Sequence, residues 1–463
     1  MNQRIQDIYR PIEQRKNDFK EVERLLSGDE LKDQAQRCMN CGIPFCHGTG
    51  CPLDNVIPEI NAAVANDNWE TAWNILSSTS FFPEFTSRVC PALCEGSCTD
   101  GIDSDPVMVR QLEKAVVETA FQRGYVKPLT PKQRSGKSVA VIGGGPAGLA
   151  AATALNLAGH NVTLYEKDAA PGGLLRYGIP DFKLDKSVID RRIALMKEAG
   201  IRFECNSEIG KDISGNYMRR YDAVILTIGT PLARDLAVPG READGIFFAL
   251  DFLQGQNRVI GSECKALPIS ASGKKVVVIG GGDTGSDCVG TSVRQGAKSI
   301  LQIEIMPKPP ETRSASTPWP QWPYLLRTSS SQKEGGERRW DLATKKFRVE
   351  SGKVTGLEVV KVEWELSKEG KPLKFKEIPG SEEFIPADLV LIAMGFVGVA
   401  GDGVAKQLGL SVDNRGRVQS NPERGIFVAG DSASGASLVV RAIADGKKVA
   451  KEAEKFLAES KDL

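Results

Sequence analysis

One pattern occurs twice in this chain: a short apolar strand runs directly into a glycine-rich turn, and a helix-like segment follows. The first copy joins Ser138–Ile142 to the turn Gly143–Gly148, and the second joins Lys275–Ile279 to the turn Gly280–Gly285. Glycines permit the tight bend and let the backbone approach a pyrophosphate, which binds at the N-terminus of the helix. The repeat predicts two dinucleotide-binding units with parallel sheets of the doubly wound type.

An acidic residue follows each turn at the distance expected for a ribose contact. Glu166 ends the apolar segment 162–165 and lies 23 residues after Gly143, and Glu304 lies 24 residues after Gly280. A carboxylate at this position accepts hydrogen bonds from ribose hydroxyls. Two such units indicate two dinucleotides. A flavin and a nicotinamide nucleotide are the simplest combination of redox cofactors, because a flavin accepts a hydride and can release the electrons one at a time.

Composition excludes several classes of protein. The 463 residues are 41% hydrophobic and 26% charged, with 60 basic and 59 acidic side chains, so a nucleic-acid partner is not expected. The charged N-terminus is not a signal peptide, and no apolar run approaches the roughly 20 residues of a membrane helix. We expect a cytoplasmic protein without a membrane partner.

Cysteine is concentrated near the N-terminus. Of ten cysteines, seven lie in the spacing Cys38-x2-Cys41-x4-Cys46-x4-Cys51-Pro52 and Cys90-x3-Cys94-x3-Cys98. Such density in a long, unexported chain indicates metal binding. In bacterial two-cluster ferredoxins the last cysteine of a similar run, before proline, binds the other cluster. By that logic Cys38, Cys41 and Cys46 share one iron–sulfur cluster and Cys51 belongs to a second. Zinc is the alternative, and the predicted redox cofactors favour clusters.

These seven cysteines are one short of the eight ligands that two four-iron clusters need, so one cluster has three irons or one ligand is not cysteine. Cys205, Cys264 and Cys288 lie in the dinucleotide-binding region, and Cys288 is expected in the core. Glu113, on the helical segment after Cys98, is a candidate for the eighth ligand. From the sequence alone, a solvated helix carboxylate is the favoured interpretation.

Two segments have the composition of loops. Residues 307–323 contain six prolines with Trp319 and Trp322 among them, and residues 328–339 are polar and contain glycine. The tryptophans indicate that the first loop is docked. Packing on its own domain is the expectation, and a partner interface is the alternative.

The C-terminal segment resembles the closing motif of disulfide-reductase-like flavoproteins that bind two dinucleotides. A strand ends in Gly430 and Asp431, and a helix is expected soon after Gly435. In those flavoproteins the aspartate contacts the ribityl-phosphate part of FAD, and the helix points its N-terminus at the flavin ring. The resemblance implies that FAD binds to both ends of this region, with the nicotinamide unit inserted between them.

The expected fold class is α/β, with two Rossmann-like domains of the disulfide-reductase-like kind after an α-helical iron–sulfur domain. The helical domain covers residues 1–126, and a polar linker follows. The FAD-binding domain covers 137–250 and 397–463, and the NAD(P)H-binding domain covers 251–396.

Five stretches together resemble the family of bacterial glutamate synthase small (beta) subunits, which shares its architecture with the N-terminal half of dihydropyrimidine dehydrogenase. They are CMNCGIPFC at 38–46, GSC at 96–98, PGGLLRYGIP at 171–180, GGGDTG at 280–285 and PWPQWP at 318–323. The last is the most discriminating, because it is typical of glutamate synthase rather than of the wider group.

The resemblance implies FAD, a nicotinamide nucleotide and two 4Fe–4S clusters. One cluster would be held by Cys38, Cys41, Cys46 and Cys98, and the other by Cys51, Cys90, Cys94 and Glu113. The implied FAD contacts are Gly143, Gly145, Pro146, Ala147, Gly148, Glu166, Lys167, Gly173, Leu174, Lys183, Gly430, Asp431, Ser437 and Leu438. The implied nicotinamide contacts are Gly280, Gly282, Asp283, Thr284, Gly285, Glu304 and Arg313.

The reaction implied by the resemblance is the input half of glutamate biosynthesis. NAD(P)H would reduce FAD, and the clusters would carry electrons to a large subunit that bears FMN and a glutaminase site. Met1 and Asn2 offer no N-terminal cysteine for glutamine hydrolysis, and no catalytic residue is assigned to this chain. The alternatives are a subunit of a ferredoxin–NAD(P) oxidoreductase, including the electron-bifurcating kind, and a zinc scaffold that senses nucleotide.

The choice of nicotinamide stays open at this point. Glu304 favours NADH, because a carboxylate at the ribose repels a 2′-phosphate. Lys308 and Arg313 lie close enough in the sequence to bind that phosphate instead.

Overall fold

A computed structural model describes residues 3–367, 370 and 372–459. Its N-terminal part is helical, and Leu112, Val116 and Ala120 line the buried side of its longest helix. The helices of this part are α1 (Ile12–Arg15), α2 (Gly28–Ala35), α3 (Ile57–Ala65), α4 (Trp69–Thr79), α5 (Pro83–Val89), α6 (Leu93–Gly96) and α7 (Val109–Gln122).

The strands all follow this helical part. They are β1 (Ser138–Ile142), β2 (Asn161–Tyr165), β3 (Arg202–Glu204), β4 (Ala223–Leu226), β5 (Leu232–Ala233), β6 (Ile246–Phe248), β7 (Lys275–Ile279), β8 (Ser299–Ile303), β9 (Glu337–Arg339), β10 (Leu342–Glu350), β11 (Lys353–Leu366), β12 (Pro372–Glu377), β13 (Glu383–Pro386), β14 (Leu389–Ile392), β15 (Phe396–Gly398) and β16 (Ile426–Val428). The helices among them are α8 (Pro146–Leu157), α9 (Leu174–Tyr177), α10 (Lys186–Glu198), α11 (Ala249–Ile260), α12 (Asp283–Arg294), α13 (Ser330–Glu334), α14 (Val404–Gln407), α15 (Asp431–Ser434) and α16 (Val439–Glu459).

Two parallel sheets of five strands form the framework. The first has the order β16-β4-β1-β2-β3, and the second has the order β6-β14-β7-β8-β9. Buried apolar runs such as Val139–Ile142 and Val276–Ile279 form the central strands, as expected where helices cover both faces. This arrangement confirms the predicted α/β fold class.

The chain leaves the first sheet after β4 and returns to it at β16, so the second sheet is inserted in the first unit. The second sheet already includes β6, which begins at Ile246, before residue 251, where the sequence predicts the inserted domain to start. Strands β10–β13 form a small antiparallel sheet between β9 and β14.

Residues 328–339 are not the loop that their composition predicts. Helix α13 begins there with a capping box, in which Ser329 and Gln332 each bind the backbone N–H of the other. Strand β9 follows and pairs with β8. Tertiary pairing with a buried neighbour overrides the low strand propensity of the charged sequence Glu337–Arg339.

Among the described residues, no helix combines the length and the apolar character needed to cross a lipid bilayer.

Candidate cofactor sites

The seven clustered cysteines line two cavities in the helical domain. Cys38, Cys41, Cys46 and Cys98 line the first, and Cys51, Cys90 and Cys94 line the second together with Glu113. This grouping is the one implied by the family resemblance. The ligand roles themselves stay a prediction.

The two cavities lie next to each other, and short segments of the chain connect their walls. A π-helical turn spans Cys46–Gly50, and the N–H of Cys51 donates to the carbonyl of Cys46 over 3.0 Å. A methyl group on Gly50 would lie 2.7 Å from the Cα of Cys94, so a larger residue would push the two cysteine-bearing segments apart. Cys94 and Cys98 lie about one helical turn apart, and each belongs to a different cavity.

Burial sets the acidity of these thiols. It raises the pKa of Cys46 to about 12, with a further rise from Cys98, and it raises the pKa of Cys51 to about 12, with a further rise from Glu113. Cys46 and Cys51 are therefore protonated at neutral pH in the absence of metal, and binding a metal would release their protons. The soft thiolates suit iron–sulfur clusters. In the part of the chain that the structure describes, no three or more His, Cys, Asp or Glu side chains form a group suited to a single metal ion.

Glu113 is not the solvated carboxylate that the sequence alone favours. It is 7% exposed on α7 and lines the second cavity. Burial raises the pKa of Glu113 to about 7, and a hydrogen bond from Asn55 opposes the rise. An isolated carboxyl group is costly to bury, so its place beside three thiols fits the predicted eighth ligand.

A buried amide in the first cavity also fits a bound cluster. Asn61, on α3, lines this cavity, and neither its amide nitrogen nor its amide oxygen has a hydrogen-bond partner among the described residues. Buried polar side chains are nearly always hydrogen-bonded. A group in the cavity that accepts hydrogen bonds would provide a partner for the amide N–H groups.

The first glycine turn has the geometry of a dinucleotide site. A methyl group on Gly148 would overlap the carbonyl oxygen of Gly143, which itself has φ +104°. Glu166, at the end of β2, accepts a hydrogen bond of 2.9 Å from the N–H of Gly144. Gly145, at the start of α8, faces open space on its outer side. The turn leaves room for a pyrophosphate at the helix N-terminus, as FAD requires.

The predicted FAD contacts from the distant C-terminal segment also reach this turn. Helix α16 packs along α8, and the N–H of Gly430 donates to Asp445 over 2.6 Å. Ser437 donates to Asp431 over 2.9 Å. Gly173, from the segment before α9, packs against Gly145. Lys167 and Leu174, two further predicted FAD contacts, directly follow Glu166 and Gly173 in the sequence, and both are exposed.

Lys183 lies between the two nucleotide units. Its ammonium group forms an ion pair with Asp287, which is buried on α12 of the second unit. Burial alone would lower the pKa of Lys183, but the negative charges of Asp287 and Asp283 raise it by more. The net shift of the pKa is upward. The predicted FAD contact of Lys183 stays untested, and the ion pair is a role that sequence spacing could not reveal.

The second turn has the same internal contacts as the first, but more of its residues are exposed to solvent. A methyl group on Gly285 would overlap the carbonyl oxygen of Gly280. Glu304, at the end of β8, accepts hydrogen bonds from the N–H groups of Gly281 (2.5 Å) and Met306 (3.0 Å). The outer residues Gly281, Gly282 and Asp283 are exposed, and Thr284 is half-buried. This turn is accessible to a ligand from solvent.

The loop 307–323 does not pack only on its own domain, which corrects the expectation from the sequence. The Trp319 ring lies 4.6 Å from the Phe45 ring, and its indole N–H donates to the carbonyl of Cys98 over 3.3 Å. Ser97 donates to the carbonyl of Pro320 over 2.8 Å. The loop therefore joins the second nucleotide unit to the wall of the first cysteine cavity.

Arg313, a predicted nucleotide contact, belongs to the same junction. Its guanidinium donates to the carbonyl oxygens of Gly96 (2.9 Å), Gln321 (2.6 Å) and Thr317 (3.1 Å). These bonds occupy Arg313 within the loop and with the helical domain, and its contact with a nucleotide stays a prediction.

Two family models cover most of the chain. Residues 15–125 match the model described as dihydropyrimidine dehydrogenase domain II, 4Fe-4S cluster. Residues 137–446 match the model described as pyridine nucleotide-disulphide oxidoreductase.

Several similar curated proteins are glutamate synthases or their small chains. The chain is 45% identical over 465 residues to the glutamate synthase (NADPH) small chain of Mycobacterium tuberculosis, covering 98% of this chain and 94% of that protein. It is also 45% identical over 471 residues to the glutamate synthase (NADH) of Schizosaccharomyces pombe, covering 97% of this chain and 22% of that protein.

Solved structures show the same fold in the nucleotide-binding region. Mycobacterium tuberculosis FprA in complex with NADPH superposes with a TM-score of 0.56 at 20% identity, covering 70% of this chain and 86% of that chain.

Proposed function

The chain belongs to the glutamate synthase small-chain family, and we propose that it is the reductase part of a glutamate synthase. In this proposal it oxidises NADPH or NADH with bound FAD, and two 4Fe–4S clusters connect it to a large chain. That large chain, which bears FMN and a glutaminase site, makes L-glutamate from L-glutamine and 2-oxoglutarate. The relatives named for NADPH and for NADH support either coenzyme.

Each part of the chain has a binding task in this proposal. Residues 1–126 hold the clusters, residues 137–250 and 397–463 hold FAD, and residues 251–396 bind the nicotinamide nucleotide. When bound, FAD accepts a hydride, and FAD and the clusters handle single electrons. The protein orients the two nucleotides, and positioning is the contribution that hydride transfer requires of it.

One observation carries the proposal: the second cysteine cavity borders the predicted flavin site. Val440, on α16, lines this cavity beside Cys51 and Glu113. Ser437 and Leu438, which the resemblance assigns to FAD, come directly before α16. A single helix end therefore touches both proposed cofactor sites, as electron transfer between them requires.

The first cavity lies toward the protein surface. Met39 lines it and is exposed, and Ile43, between Cys41 and Cys46, is 77% exposed. A partner can approach this cavity past these side chains. Because Val440 on α16 places the second cavity beside the predicted flavin site, the arrangement supports entry of electrons at the flavin and their exit at the first cavity.

The test is reconstitution with a large chain. Anaerobically purified protein should contain about eight irons and one FAD per chain, and NAD(P)H should bleach its flavin absorbance. With the large chain, oxidation of NAD(P)H should depend on both glutamine and 2-oxoglutarate. Reduction of ferredoxin without that activity would instead support a ferredoxin–NAD(P) oxidoreductase, and zinc without flavin would refute both.

Glu113→Ala tests the eighth ligand. We expect this variant to lose the second cluster or change its electron paramagnetic resonance (EPR) signal, because its cavity supplies only three thiolates. Glu113→Cys, which restores a thiolate, should recover a four-iron cluster. Unchanged iron content and spectra in Glu113→Ala would rule out the assignment.

A further inference from the structure

The first cysteine cavity contains a buried amide without a partner. Asn61 is 1% exposed on α3, between residues of the core, and it lines the cavity with Cys38, Cys46 and Cys98. Leaving a buried amide unpaired is energetically costly. The described residues offer it no hydrogen bond, so the cavity's ligand is the remaining partner.

The chemistry of an amide restricts what that partner can be. An asparagine amide presents two N–H donors and one carbonyl acceptor. The sulfurs of an iron–sulfur cluster accept hydrogen bonds, and such bonds are one of the factors that set its reduction potential. Apolar neighbours such as Ile57 and Val109 line the same cavity, and Asn61 is the neutral side chain there that offers two N–H donors.

We propose that Asn61 donates an N–H hydrogen bond to a sulfur of the first cluster and raises the reduction potential of that cluster. The proposal rests on the proposed function, because it requires a cluster in this cavity. The bond stabilises the reduced, more negative cluster more than the oxidised one. Asn61 thereby makes the first cluster a better electron acceptor than the same cluster without this bond.

The test is a redox titration of the holoenzyme followed by EPR. Asn61→Leu keeps the size of the side chain and removes both donors, so the potential of the first cluster should fall while that of the second stays constant. Asn61→Ser, which keeps one donor, should give an intermediate potential. If Asn61→Leu does not accumulate as folded protein, Asn61→Ala tests the same loss.

The outcomes separate the two claims. Wild-type protein without iron would overturn the proposed function. Normal iron content with an unchanged potential in Asn61→Leu or Asn61→Ala would overturn the role of Asn61 and leave the proposed function intact. The signal of the second cluster is identified by its change in Glu113→Ala.

A second asparagine acts in the other cavity, and different contacts support its role. The amide nitrogen of Asn55 donates to Glu113 Oε1 over 2.8 Å, and its amide oxygen accepts from the Thr79 hydroxyl over 2.8 Å. A carboxylate only accepts hydrogen bonds, so Asn55 must present its NH₂ group to Glu113 and its oxygen to Thr79. Lys447, on α16, donates to the Thr79 carbonyl and completes the chain of contacts.

The geometry points to Asn55 as a positioning residue that holds one oxygen of Glu113 and leaves the other for iron. This inference also rests on the proposed function. Partners behind a ligand orient it, and their loss typically weakens metal binding by about 10–100-fold.

Asn55→Leu should therefore speed the loss of iron from the second cluster to a chelator by about 10-fold or more, with the first cluster unaffected. Asn55→Gln provides a variant that keeps the donor on a longer side chain, and partial recovery is expected. If Glu113→Ala alters the second cluster but Asn55→Leu leaves its spectrum and iron release unchanged, the positioning role is wrong while the ligand assignment holds.

Discussion

The two glycine turns have the same internal contacts but differ in their enclosure. In both, the last glycine leaves no room for a side chain against the first, and a carboxylate accepts the N–H of the second glycine. Glu166 is 5% exposed, and Gly430 and the packed pair α8 and α16 lie around the first turn. In the second turn, Gly281, Gly282 and Asp283 are open to solvent.

This difference explains how one chain can use the same motif for two purposes. Affinity differences between related sites lie mostly in the rate of dissociation. An enclosed turn suits a cofactor that stays bound, and an open turn suits a coenzyme that leaves after each turnover. The contrast supports FAD at the first turn and a nicotinamide nucleotide at the second.

The largest expected effect concerns the ion pair that joins the two units. Lys183→Met leaves Asp287 buried without a partner, which should cost about 3–5 kcal/mol of stability. The melting temperature followed by circular dichroism should fall, and the double variant Lys183→Met/Asp287→Leu should recover most of the loss.

Flavin content provides the second readout for these variants. Loss of FAD in both the single and the double variant would mean that Lys183 contacts FAD directly. Normal melting in the single variant would show that the pair does not hold the units together.

A smaller effect is expected when a methyl group is added in either turn, which should cost about 1–3 kcal/mol of stability. Gly148→Ala should lose most of its flavin, because the added carbon overlaps the carbonyl of Gly143. Gly285→Ala should keep its flavin and raise the KM for the nucleotide. Flavin per chain after gel filtration, with nucleotide kinetics, measures both. Equal loss of flavin in the two variants would contradict the division of roles.

The smallest effect is expected in the preference between NADPH and NADH, which should change by roughly five-fold, or about 1 kcal/mol of free energy. Glu304→Gln removes a carboxylate from the ribose end of the second turn, so the ratio of kcat/KM for NADPH over that for NADH should rise. Glu166→Gln is the matched control in the first turn and should leave this ratio unchanged. A constant ratio in Glu304→Gln would remove Glu304 from the determinants of specificity.

Much of the fold follows from local sequence. The strands at Ser138–Ile142 and Lys275–Ile279 agree with the sequence because a buried apolar run before glycines has few other structures. The antiparallel sheet β10–β13 and the strand β9 are not predicted by the sequence analysis above. The charged strand β9 carries little periodic signal, and its pairing is decided by its neighbours. Strand β11 alternates apolar and charged residues over 360–366, which is typical of a strand but does not specify its partners.

The candidate sites divide in the same way. The glycines and cysteines can be identified from the sequence, because nucleotide binding and cluster binding require these residue types at this spacing. Asn55 and Asn61 give no such signal, since an asparagine near a helix or a turn is usually a solvated polar residue. Their burial became visible only in the packed cavities.

The sequence by itself determined the two glycine turns, the carboxylates that accompany them and a group of seven thiols, one short of the ligands that two four-iron clusters need. Each turn and its acidic partner depend on residues within about 25 positions of one another, where chain geometry alone limits the outcome. Only the tertiary structure decided the burial of Glu113, the pairing of Lys183 with Asp287 and the docking of Trp319. Those contacts join residues as many as 274 positions apart, as for Phe45 and Trp319, and packing of whole domains, rather than local spacing, brings them together.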